Sequence, residues 1–155
     1  MTPPLDLPRF EYRLREAEGK RWIFDAIRKK FVVLTPEEWV RQHVVNYLTV
    51  HLNYPRTLLR IEGGLSYNQL AKRSDIVVYD RTGGPWMVVE CKAPAVKLSQ
   101  QVIHQAAAYN HTLKAKYVVV SNGVAHVVCA LENGKVSFLE NWPEFSPQST
   151  DDGPR

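Results

Sequence analysis

The chain has 155 residues, 45% hydrophobic and 23% charged, which is the balance of one globular domain with one core rather than of a disordered polymer. Twenty Lys/Arg against 16 Asp/Glu leave a net charge of +4, a lean towards a polyanionic partner that does not by itself specify nucleic acid. No apolar run is long enough to span a bilayer and MTPPLDLPRF lacks a secretory layout, so the expectation is a cytoplasmic protein with no membrane partner.

In chain order, residues 10–14 and 21–27 alternate as strands around Glu18-Gly19, predicting a hairpin. Lys20, Arg21, Arg28, Lys29 and Lys30 are interleaved there with Trp22 and Phe24, a pattern that fits either a solvated charged face or a phosphate-contacting rim. Thr35-Pro36-Glu37-Glu38 is a helix start: Thr35 as cap, Pro36 in the first helical position, Glu38 completing a capping box. Trp39, Val40, Val44, Tyr47 and Leu48 give that helix one apolar stripe, and Pro55 closes the region.

Strands follow at Leu58 to Ile61, Asp75 to Tyr79 and Trp86 to Lys92, with Gly63-Gly64 ending or bulging the first and Thr82-Gly83-Gly84-Pro85 joining the other two as an antiparallel hairpin. A helix from Ser99 to Lys114 buries Leu98, Val102, Ala106, Tyr109 and Leu113. Tyr117 to Val120, His126 to Leu131 and Val136 to Leu139 are strands separated by Asn122-Gly123 and Asn133-Gly134. The fold class is α/β, a central mixed sheet flanked by helices. Residues 1–142 form one domain, with a β-hairpin over 10–34 and a core over 35–142, and 143–155 form a flexible tail. Cys91 and Cys129 sit in apolar strand runs and read as buried free thiols.

Glu90 and Lys92 alternate onto one face of their strand, with Cys91 on the other, and the hairpin brings Asp75 opposite the Glu90 end. Two carboxylates beside an apolar core repel one another unless a cation joins them, and carboxylate oxygens suit Mg²⁺ or Mn²⁺. Such a metal activates water at a phosphodiester, and Lys92 would orient that water or neutralise charge on the phosphorane.

Ser74-Asp75 followed by Glu90-x-Lys92 resembles the PD-(D/E)XK nuclease signature. With Leu34 to Gln42, Glu90-Cys91-Lys92-Ala93-Pro94 and Gln105-x-x-x-Tyr109-Asn110, residues 20–130 resemble the N-terminal nuclease domain of type I restriction enzyme R subunits. The resemblance implies a restriction-endonuclease-like core and Mg²⁺-dependent cleavage of DNA. It makes Asp75 and Glu90 metal-binding acids, Lys92 the catalytic lysine, Glu38 a further metal carboxylate, and Gln105 with Tyr109 a supporting or DNA-contacting pair. Ser74 stands where the motif name has proline, and no G-x-x-x-x-G-K-[ST] segment supplies a motor.

Capping explains Glu38 as fully as catalysis does, and Glu37 or Glu62 are alternatives to it. Tyr109 is equally readable as core. Arg73 is either a substrate contact or a solvated partner of Asp75, and the five histidines form no ligand pair at useful spacing. The function expected is a metal-dependent endo- or exodeoxyribonuclease in defence or repair. The alternatives are a DNA-binding module with a nuclease fold that is inactive alone and works with partner motor or specificity subunits (restriction or repair subunits being the partners expected), and a basic scaffold. Cutting both strands of a duplex requires two sites, which makes a homodimer an expectation.

Overall fold

Glu18 and Gly19 both adopt positive φ, 57° and 72°, the geometry of a two-residue turn whose twist matches its flanking strands. The computed structural model, which describes residues 3–61 and 76–146, pairs β1 (Leu14–Ala17) antiparallel with β2 (Lys20–Asp25) across that turn. The hairpin is therefore as expected, but its first strand lies at 14–17 rather than 10–14. The tight turn sets Ala17 opposite Lys20 and thereby the whole register. β3 (Lys30–Val33) adds on the far side of β2, making a three-stranded sheet. Asp25 organises the turn between them: its Oδ1 accepts the Ile27 and Arg28 amides at 2.8 and 2.9 Å.

The Thr35 hydroxyl accepts the Glu38 amide at 3.0 Å and starts α1 (Pro36–Asn46), which runs on as a π-helical turn over Tyr47–His51. A 3₁₀ turn (Arg56–Leu58) leads into β4 (Leu59–Ile61). The second sheet has the order β4-β5-β6-β7-β8-β9, with β5 Ile76–Tyr79, β6 Pro85–Cys91, β7 Tyr117–Ser121, β8 His126–Glu132 and β9 Lys135–Leu139. β6 and β7 are parallel and the other described neighbours antiparallel. The parallel pair needs a crossover, which α2 (Gln100–Leu113) provides, capped by the Ser99 hydroxyl. The fold is thus mixed α/β, as the sequence predicts.

The helices take opposite faces of the six-stranded sheet. Val40 and Val44 of α1, with Leu48 of the π-helical turn that follows, pack with Ile76, Val78, Met87, Val89 and Cys91. Ala106 and Val102 of α2 pack with Val118 and Val120. Leu48 is fully buried, so Leu48→Ala would cost about 2–5 kcal/mol. Cys91 and Cys129 are both buried free thiols. Pro143 and Phe145, assigned by composition to the tail, are tied to the core. The Tyr54 hydroxyl donates to the Pro143 carbonyl at 2.8 Å, and the Phe145 amide donates to the Leu52 carbonyl at 2.9 Å. Gly63-Gly64 lies outside the described residues.

Candidate active site

β6 lies centrally in its sheet, between β5 and β7. Strand alternation turns Met87, Val89 and Cys91 towards α1, so Glu90 and Lys92 project from the α2 face. Glu90 pairs with Val120, and the Lys92 amide extends the ladder by donating to the Ser121 carbonyl at 2.8 Å. Both residues therefore sit at the carboxyl ends of two parallel strands, the edge where open α/β sheets form ligand crevices. The Glu90 side chain is 10% exposed and the Lys92 side chain 25%, with Lys92 Nζ 3.3 Å from Glu90 Oε2. Asn122 braces the rim: its Nδ2 donates to the Val96 carbonyl at 2.8 Å, and its Oδ1 accepts the Val124 and Ala125 amides.

Asp75 and Arg73 lie outside the described residues. Their nearest described neighbour, Ile76, is opposite Val89. Gln105 is on α2 and exposed, whereas the next residue, Ala106, is buried. Tyr109 belongs to the same helix, but its side chain is outside the described set. Asn110 is a buried polar residue of α2. It brackets the helix end, accepting the Ala115 amide at 3.0 Å and donating to the Ala115 carbonyl at 3.1 Å.

Glu38, on α1, is engaged by a polar network. Its carboxylate takes Gln42 Nε2 at 2.6 Å, Arg28 Nη2 at 3.4 Å and the Arg41 guanidinium, and makes no bond back to the Thr35 amide. Thr35 thus caps the helix alone, and half of the expected capping box is absent. Asp25, which is fully buried, joins the same network: Oδ2 accepts Arg28 Nε at 2.7 Å and Gln42 Nε2 at 3.3 Å. Burial acts to raise the Asp25 pKa, but hydrogen bonds and charge from Arg28 outweigh it and hold the carboxyl below its ordinary value. The sequence reading missed this network. Asp25-x-x-Arg28 on a turn and Glu38-x-x-Arg41-Gln42 on a helix were the available signals, each a local spacing that brings its members together.

Two histidines are satisfied structural residues. His43 Nδ1 lies 2.9 Å from the Trp39 carbonyl, with burial lowering its pKa, and His126 Nδ1 lies 2.8 Å from Ser121 Oγ.

A family model described as the type I restriction enzyme R protein N terminus (HSDR_N) matches residues 36–143. The chain belongs to this family. No curated protein matches it. The R-protein N-terminal match begins at Pro36 and so takes in α1, both partners of the Glu90–Lys92 pair and all six strands of the larger sheet, while leaving β1–β3 outside. Among the described residues, no three His, Cys, Asp or Glu side chains converge closely enough to hold a metal ion. Glu90 offers a mostly buried hard oxygen donor beside an ammonium group, chemistry that fits one carboxylate ligand of Mg²⁺. No helix among the described residues is long and apolar enough to cross a membrane.

Proposed function

We propose that this R-protein N-terminal domain is a metal-dependent deoxyribonuclease that hydrolyses DNA phosphodiester bonds. The observation carrying this reading is the Glu90–Lys92 pair, mostly buried at the carboxyl edge of the central strand of a restriction-enzyme family domain. A mostly buried carboxylate and a partly solvated ammonium at one sheet edge put a hard oxygen donor and a cation within reach of the same phosphate. Glu90 and Asp75 would hold Mg²⁺ or Mn²⁺. When bound, the metal supplies water activation and stabilisation of the leaving oxygen. Lys92 places its ammonium beside that carboxylate, where it orients the attacking water and neutralises charge growing on the phosphate. Gln105, exposed on α2, is assigned a supporting contact to DNA, with Tyr109 and Arg73 in the same role. The domain acts on cytoplasmic DNA with partner restriction subunits, and as a homodimer where both strands are cut.

The test uses supercoiled, linear duplex and single-stranded DNA with Mg²⁺, Mn²⁺ or EDTA, comparing the wild type with Asp75→Ala, Glu90→Gln and Lys92→Ala. Metal-dependent cleavage lost in all three variants is expected. Cleavage that persists in EDTA, or that survives every substitution, overturns the mechanism. Salt-sensitive binding without any cleavage identifies a DNA-binding module instead.

A further inference from the structure

We infer that the outward face of the three-stranded N-terminal sheet is a second DNA-contacting surface, which grips duplex phosphates outside the family-matched core. The register sorts its side chains by chemistry. Leu14, Ile23 and Val32 pair across one face, and Ile23 on it is fully buried, so that face meets the protein. The two acids of these strands, Glu16 and Asp25, alternate onto the same inner side, opposite Arg21 and Lys30. The outer face receives Arg15 opposite Trp22, Lys20 opposite Ala17, and Phe24 opposite Phe31, with Arg13 joined to the Phe24 amide through its carbonyl. No carboxylate of the three strands shares that face, and before them Glu11 lines the same hollow as Arg13 and Phe24.

The guanidiniums are pre-positioned. Arg13 lies 4.3 Å from the centre of the Phe24 ring and Arg15 lies 4.1 Å from that of Phe31. Stacked arginines lose less freedom on binding, and their planar forks match phosphate oxygens. The same stacking occupies the two phenylalanine rings, which at those positions favours backbone contact with duplex over base stacking with a single strand. The inference deepens the deoxyribonuclease reading, since it assigns a grip on that enzyme's substrate, but it makes a separate claim about binding.

Its test is fluorescence anisotropy of the full chain with a 20-bp duplex and with the corresponding single strand (lengths on the order of one to two helical turns), in EDTA across a salt series. Arg13→Gln/Arg15→Gln should weaken duplex binding and lower the log–log salt slope by about 0.9 for each phosphate that is no longer neutralised. Arg13→Lys/Arg15→Lys should retain the slope, and thermal melting checks that each variant is folded. Lys114→Gln/Lys135→Gln, which removes two exposed charges elsewhere, should leave the slope within error. An unchanged slope in the glutamine variant, an equal loss in the Lys114/Lys135 control, tighter binding to the single strand, or no duplex binding by the wild type overturns the inference. Cleavage is read in a separate assay. A nuclease whose slope ignores Arg13 and Arg15 defeats only the binding surface, and an inactive protein whose slope responds to them defeats only the nuclease reading.

Discussion

Glu38→Gln separates two roles for the α1 carboxylate, as metal ligand or as internal strut. The substitution keeps size and shape but removes the charge that faces Arg28, Arg41 and Gln42. Arg41 is 12% exposed and retains Glu37 at 3.5 Å, while Arg28 is 29% exposed and retains Asp25. Removing one member of a buried charged pair costs about 3–5 kcal/mol, and partial solvation of Arg28 with a surviving amide contact to Gln42 brings this to about 3 kcal/mol. For a chain of this length that lowers Tm by about 6–12 °C. The assay is far-UV circular dichroism melting, paired with a Mg²⁺ titration of cleavage well below the melting range. The strut role predicts the large Tm loss with an unchanged Mg²⁺ midpoint. A variant melting within about 2 °C of wild type, given the roughly 2–4 °C per kcal/mol expected, would refute the reasoning.

Asp25→Asn should lower stability at neutral pH by about 2–3 kcal/mol, because Asp25 accepts charge-assisted bonds while fully buried. Its folded pKa is depressed, so this contribution is present above the unfolded value of about 3.9 and fades as pH falls through the folded value. Urea unfolding at successive pH values should show the wild type and variant converging in acid, and a gap that ignores pH would count against the electrostatic account. Gly123→Ala should destabilise by about 1–3 kcal/mol. An added Cβ would stand 2.9 Å from Leu5 and 3.1 Å from Val40, at a φ of +87°. A urea midpoint unchanged by that substitution would show that the N-terminal segment yields freely.

Elements governed by local chemistry were legible in the sequence. Thr35-Pro36 and Ser99 cap their helices, and Asn133-Gly134 adopts the positive φ values of a hairpin turn, because each signal is set within a few residues. Glu90 and Lys92 sharing a face followed from strand period alone. What the sequence left ambiguous was decided at long range. The Glu38 carboxylate had a local explanation, yet Arg28, ten residues earlier, and Asp25 beyond it take part in its network. Tertiary partners outcompeted the capping box, and no spacing rule within α1 contains them. Likewise β3 lay inside the expected 10–34 hairpin without a strand of its own, since its identity depends on pairing with β2.

The burial of Asp25 and Ile23 has a consequence for where the cooperative unit begins. The family match starts at Pro36, but Trp39 Nε1 donates to the Pro3 carbonyl, the Asp6 amide donates to the Gly123 carbonyl, and Arg28 neutralises Glu38. Truncation at the homology boundary would remove all three partners at once. Residues 3–35 are therefore an integral shell of the folding unit rather than an accessory appended to it.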